Sequence, residues 1–208
     1  MSVGVRAMEI AAGNSNTFTT QAGDNVLVVG IAANPSAGGN ITGVTFNGIA
    51  LTEVVEIGGG AQADRKVWIG YLVAPDIGAF TLVASGTGID SWTSQVALFV
   101  SAGFLEAGQP RDTDAIEDNS NDTLNVSLTP TVAGDLCFYM GYKGGVQASW
   151  SGATAETSGV SGSKGAYEIA TTTSENASYG VAGDNSIAVC GAAFKAGRSA
   201  GRVSGAIG

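Results

Sequence analysis

The sequence predicts an all-β protein of antiparallel strands, and three observations carry that prediction. The stretch VTFNGIALTEV (44–54) sets an Asn-Gly pair between two short apolar runs. Strand-like runs recur every 8–15 residues, separated by Gly, Asn, Asp and Ser, with no helix-length amphipathic stretch between them. The 208 residues include 32 Gly, and only 13% are charged, against about a quarter in an ordinary globular chain. Such a chain is too apolar for disorder and too rich in Gly, Thr, Ser and Asn for a helical bundle. Strands at this spacing point to a β-sandwich or barrel. The expectation is one antiparallel β-sandwich, jelly-roll-like, over residues 1–196, followed by a short C-terminal arm at 197–208.

The hairpin follows from pairing. A two-residue type I′ loop needs positive φ at both central positions, which Asn-Gly supplies. It sets Phe46 opposite Ile49, Thr45 opposite Ala50 and Val44 opposite Leu51. Side chains alternate faces along a strand, so the large apolar residues fall on one face and the small ones on the other. A helix here would carry Gly and β-branched residues mid-run, both unfavourable.

The other elements are read in order from apolar alternation between turn residues. They are VGVRAMEIA, NTFTT, NVLVVGIAA, ITGVTF, IALTEVVEI, RKVWIGYLVA, AFTLVASG, SWTSQVALFVS, DTLNVSLTP, GDLCFYMGYK, VQASWS, KGAYEIAT, ASYGVA and SIAVCGAAFK. In KVWIGYLVA, Val67, Ile69, Tyr71 and Val73 take one face and Trp68 and Leu72 the other. That strand is apolar on both sides, which predicts a central or covered place. TTQAGDNVLVVGIAAN (19–34) echoes YGVAGDNSIAVCGAAFKAG (179–197), with a shorter form, TPTVAGDLCFYMGY, between them. Gly23-Asp24, Gly134-Asp135 and Gly183-Asp184 hold the turn in each. The favoured reading is turn chemistry reused in similar strands.

Residues 106–122, EAGQPRDTDAIEDNSND, are acidic and poor in apolar groups, and read as a long loop joining two half-chains of strands. Asp112, Asp114, Asp118 and Asp122 are weak Ca²⁺ candidates, since hard cations take clustered carboxylates. EF-hand order is absent, with Ile116 at the third ligand position, and a solvated loop is the favoured reading. No cofactor is expected.

The net charge is −9, and the chain has no His. No basic patch is long enough to follow a phosphate backbone, which argues against nucleic acid. Without His, the usual general base, zinc ligand and nucleophile partner are missing, and no pair of acids stands out, so no enzyme activity is expected. No apolar run reaches the length of a membrane span, and the N-terminus reads as a strand, not as a signal peptide. Cys137 and Cys190 lie in apolar runs and read as buried thiols; a disulfide would need close Cα atoms and an oxidising compartment. Trp68 reads as core. Trp92 and Trp150, each beside Ser or Thr, are candidate contact platforms. Lys195, Arg198 and Arg202 make the C-terminal segment mildly basic and are candidates for contact with a partner chain.

The order AGDNVLVVGIAA…ITGVTFNGIALTEV…KVWIGYLVAPDIGAFTLVASG…SQVALFVSAGF is similar to a family of β-sandwich domains. That family occurs in tailed-phage virion proteins and in some bacterial surface proteins. The similarity spans residues 18–197 and is most specific at Asn47–Thr52 and Trp68–Pro75; the chain departs from it at LEAGQPRDTD. The resemblance implies a virion protein made in the host cytoplasm, foremost a capsid decoration or cement protein or another small head protein. It would act through contacts with capsid subunits and copies of itself, with no membrane or nucleic-acid partner. The alternative is a carbohydrate- or receptor-binding module on a phage appendage or bacterial surface, with a surface glycan as ligand.

Overall fold

Antiparallel strands and the turns between them make up the described part of the chain, and no helix occurs there. The structure, a computed structural model, describes residues 3–58, 65–102, 108–118, 122–129, 131–144, 148–160, 162–180 and 186–197. The first half supplies β1 (Gly4–Ala12), β2 (Ser15–Thr20), β3 (Val26–Phe46), β4 (Ile49–Ala50), β5 (Thr52–Gly58), β6 (Lys66–Val73) and β7 (Gly78–Ala102). They form one sheet in the order β1-β7-β3-β6-β5, with β2 on β7 and β4 on β3.

Two predicted pairs of strands are continuous here. NVLVVGIAA and ITGVTF merge into β3, and AFTLVASG and SWTSQVALFVS into β7. Pro35, Gly38 and Gly39 signal a turn, but the β3–β7 ladder absorbs them as register shifts between Ala32 and Gly43, as bulges do. There both strands double over. The Gln95 amide donates to the Leu82 carbonyl of the same strand at 3.2 Å, and the Asn16 amide donates to Gln95 Oε1 at 3.0 Å. The end of β3, the start of β7, β2 and β4 thereby cover the back of β1-β7-β3-β6-β5. Phe18, Ile41, Val44, Phe46 and Leu82 meet Leu27, Val29, Ile31, Trp68 and Phe99 in one buried cluster.

The second half supplies β8 (Asp112–Asp118), β9 (Thr123–Leu128), β10 (Leu136–Lys143), β11 (Ser149–Ser151), β12 (Ala155–Glu156), β13 (Ser163–Ile169), β14 (Glu175–Gly180) and β15 (Ile187–Phe194). They make a five-stranded sheet, β12-β13-β10-β15-β8, and a three-stranded sheet, β11-β14-β9. Leu124, Val126, Leu128, Trp150 and Tyr179 of the smaller sheet meet Cys137, Tyr139, Ile187 and Val189 of the larger. The opposite face of the five-stranded sheet packs on the first half, where Val28, Val67, Ile69, Val96 and Leu98 meet Phe138, Met140, Cys190 and Phe194. Three buried clusters thus lie among these sheets, one within each half and one between the halves. The central strands β10 and β15 are buried at every residue, as strands covered on both faces must be.

The halves share one topology. Read from β8, the second five-stranded sheet runs β8-β15-β10-β13-β12, the counterpart of β1-β7-β3-β6-β5. The small sheet β9-β14-β11 matches β2, the start of β7 and the end of β3. Registers agree as well: Val26 lies opposite Val73 and Val100, and Leu136 opposite Ile169 and Phe194. The shorter echo, TPTVAGDLCFYMGY, is thus the structural counterpart of 19–34. SIAVCGAAF corresponds instead to the end of β7, and Gly183-Asp184 lies outside the described residues.

The expected loop at 106–122 needs correction over 112–118, which is the edge strand β8. Its alternating carboxylates, read as loop chemistry, have partners. Asp112 accepts the Thr129 amide at 2.5 Å, and Asp114 accepts the Ser127 amide at 2.8 Å. Those amides belong to the edge of the small sheet, so the two Asp side chains cap an otherwise open edge.

Candidate partner-binding surface

The Gly-Asp turns position a repeated ion pair. Gly23 and Gly134 take φ of +99° and +98°, a left-handed conformation that costs glycine little. The following aspartate folds back to accept the amide three residues earlier, Gln21 for Asp24 at 2.8 Å and Val132 for Asp135 at 2.9 Å. Each then receives an arginine from the neighbouring edge. Arg6 Nε and Nη2 donate to the two carboxylate oxygens of Asp24 at 2.9 and 2.8 Å, and Arg111 Nε donates to Asp135 at 2.5 Å. Arg6 and Arg111 are equivalent in register, because Ala7 and Asp112 lie opposite the equivalent residues Phe99 and Ala193. Burial pushes the Asp24 carboxyl up, but the bonds from Arg6 and the Gln21 amide outweigh it and leave the pKa below the usual carboxylate range. The hydrogen bond to Asp24 holds Arg6 above its ordinary value. Nothing in the local pattern of 1–12 marks Arg6 as a partner. The signal was an Arg upstream of the Gly23-Asp24 and Gly134-Asp135 turns alike.

Among the described residues, the outward positions of the outer strands β2, β9, β11 and β14 carry no charged side chain. On β9 and β14, alternation turns Leu124, Val126, Leu128, Ala177 and Tyr179 inward and leaves Asn125, Ser127, Asn176 and Ser178 outward. These pair across the strands: Ser127 Oγ donates to Asn176 Oδ1 and Ser178 Oγ to Asn125 Oδ1, both at 2.5 Å, and Thr129 Oγ1 donates to Ser174 Oγ at 2.8 Å. Ser149 and Ser151 extend the face on β11. The first half presents Ser15, Thr17 and Thr19 on β2, with Thr81 directly opposite Thr17 and exposed. A protein with 18 acidic and nine basic residues thus ends, on both sides, in hydroxyl- and amide-bearing sheet surfaces.

Among the described residues the buried lysines have partners, whereas one carboxylate oxygen of Glu117 is buried without one. Lys66 binds Glu56 at 2.8 Å and donates to Asn40 Oδ1 at 3.0 Å. Lys164 binds Glu156 at 2.9 Å, whose other oxygen accepts the Trp150 amide at 2.8 Å. Lys143, wholly buried, donates to the Asp122 carbonyl at 3.0 Å. Tyr139 donates its hydroxyl to Glu168. Burial raises the Glu168 carboxyl above its ordinary value, against the pull of that hydrogen bond. These are closed pairs within layers, and among the described residues no three His, Cys, Asp or Glu side chains gather as metal ligands. Asp112, Asp114, Asp118 and Asp122 accordingly do not converge; Asp122 lies at the buried Lys143.

Asn47 and Gly48 take φ of +51° and +76°, with Phe46 opposite Ile49 and Thr45 opposite Ala50, as the hairpin reading requires. Trp68 is core. Trp92 is half-buried against the same cluster. Trp150 corrects its expectation of exposure: it is buried between Tyr139 and Tyr179, at ring-centroid distances of 5.4 and 4.9 Å, and donates its indole N–H to the Lys164 carbonyl. Its serine neighbours misled, because alternation turns Ser149 and Ser151 outward and Trp150 inward. Lys195, expected at a partner, donates to the Gly108 carbonyl of its own chain at 2.6 Å. Arg198 and Arg202 lie outside the described residues. Cys137 and Cys190 are free and buried on opposite faces of one sheet, Cys137 in the outer cluster and Cys190 in the central one, which precludes a disulfide between them. No family model, curated protein or solved structure matches this chain.

Proposed function

We propose that this protein is a non-catalytic structural component of a phage particle, foremost a capsid decoration or cement protein or another small head protein. It would stabilise the particle by protein–protein contacts. In this reading each half is a jelly-roll-like β-sandwich, and the partners are capsid subunits and further copies of the chain. The carrying observation is the hydroxyl-rich outward positions of the outer strands in both halves, which carry no charge among the described residues. Burying a charge in an interface is costly unless it finds a partner, and interface cores are depleted of charged residues. A neutral sheet face escapes that cost, while acidic groups elsewhere resist nonspecific sticking. The resemblance of Asn47–Thr52 and Trp68–Pro75 to phage virion domains supports the same reading. The alternative, a carbohydrate- or receptor-binding module, loses one of its aromatic platforms, because Trp150 is core.

The test is co-sedimentation of purified protein with capsids lacking it, followed by cryo-EM of the complex. Stoichiometric density on the capsid lattice is expected. Replacing Thr81 and Ser178 with lysine should abolish binding while leaving the melting temperature unchanged. No capsid binding, with retention on a glycan array instead, would overturn the structural reading in favour of the alternative.

A further inference from the structure

The surface between the halves has a symmetry that the shared topology alone does not require. At the centre of this surface β3 meets β10, β6 meets β15 and β7 meets β13; beside them β6 also meets β10, and β5 meets β8 and β15, without comparable counterparts on the side of the two-residue β12. In equivalent strands, β3 faces its own counterpart. The β6–β15 contact is the β7–β13 contact with the halves exchanged. These central contacts follow the pattern of an isologous interface, in which one patch meets its own copy across a two-fold axis.

We propose that this chain is a fused dimer: two copies of one ancestral half joined end to end, meeting through a surface that evolved to bind itself. The residues across the axis show how fusion was exploited. Gly30 and Met140 are equivalent in register and face each other. A Cβ on Gly30 would lie 2.8 Å from Met140 Sδ. In a true homodimer, two glycines here would leave a void and two methionines would collide. One of each fills the space.

The flanking positions repeat the pattern. Val96 of β7 packs on Gly165 of β13, where an added Cβ would come within 2.6 Å of Val96 Cγ1. The symmetry-related positions hold Cys190 and Ile69, both in the same central cluster, so a large residue and a small one have changed sides. Farther out, Ser94 and Ser163 share a buried hydrogen bond of 2.6 Å. Ser163 donates its own proton to the Val160 carbonyl, which makes Ser94 the donor to Ser163. The related positions are Ala188 and Val67, buried and apolar. Each departure from symmetry is complementary to the residue it faces, as expected of an interface released from the need to be identical on both sides.

An exchange across the axis tests this in the full chain. Gly30→Met alone and Met140→Gly alone should each lower the urea midpoint clearly. Gly30→Met combined with Met140→Gly should recover at least half of the summed loss, because the axis gives both positions the same surroundings. A double variant as damaged as the sum of the singles would overturn the proposal. If Gly30→Met does not fold, Ser94→Ala with Ser163→Val carries the test, since it copies the pair from the other side of the axis. That variant should melt within a few degrees of the parent. A collapse of its melting temperature would count against equivalent surroundings and overturn the two-fold relation.

Discussion

Arg6 reaches across from β1 to grip both carboxylate oxygens of Asp24 at 2.9 and 2.8 Å, and the guanidinium also lies over the Phe99 ring, 4.4 Å from its centre. The contact ties the edge strand β1 to the turn that starts β3, whose first eight residues are all buried. Arg111 and Asp135 do the same in the second half.

Asp24→Ala should therefore lower the unfolding free energy by about 1.5–3 kcal/mol, the range for hydrogen bonds to a charged group, and Asp135→Ala by a similar amount. Urea denaturation measures both. A double-mutant cycle with Arg6→Ala should show coupling between Arg6 and Asp24.

The pH dependence should carry two opposite signs. Asp24 titrates below its ordinary range, so its contribution is present above that range and is lost as pH falls through the depressed value. Below about pH 4 the melting temperature should fall, and less steeply in Asp24→Asn. Glu168 titrates above its ordinary range, so its contribution is full below the ordinary value and is lost as pH rises through the raised one. Glu168→Gln should melt higher than the parent at neutral pH, with the difference closing in acid. Thermal scans from pH 3 to pH 8 check both signs.

Two glycines should fail for different reasons. Gly48→Val should cost about 1–2 kcal/mol through left-handed backbone strain alone, since a Cβ there would meet nothing within 4 Å. At Gly141 an added Cβ would sit 2.5 Å from the Tyr179 ring. Gly141→Ala should cost about 1–3 kcal/mol by overpacking and alter the near-ultraviolet circular dichroism, which Gly48→Val should leave intact.

Both thiols should be inert in the native protein. Burial pushes Cys137 and Cys190 well above the ordinary thiol range, and the thiolate is the reactive form. Ellman's reagent at pH 8 should titrate no cysteine in the folded protein and two after denaturation, with or without prior reduction.

What the sequence made legible was local. Asn47-Gly48 encodes its turn in two residues, and the two apolar faces of β6 follow from alternation across eight. Two readings failed because punctuation was weighed above pairing. Pro35 and the glycines after it look like a strand end, yet the partner strand carries the ladder past them. Asp112 and Asp114 look like solvated loop charges, yet the amides that need them belong to an edge visible only in three dimensions. Trp150 was within reach: the alternation applied to β6 turns it inward between two outward serines. The outer faces were hidden because Ser, Thr and Asn mark turns as readily as exposed sheet, and the Arg–Asp pairs because their partners lie far apart in the chain.

The continuity of β3 and β7 sets how the first half comes apart. These two strands line the central interface and then run on into the outer layer, whereas the second half uses separate strands, β10 and β11, and β14 and β15, for the same path. In the second half the outer sheet can open while the inner one stays closed. In the first half, lifting the outer layer strains the ladder that holds the centre. Slow amide exchange should therefore reach the outer layer of the first half, at Thr45 and Leu82, while Val126 and Ala177 exchange through a separate, lower-energy opening. Two halves of one topology would then differ in cooperativity, with the first holding while the second breathes.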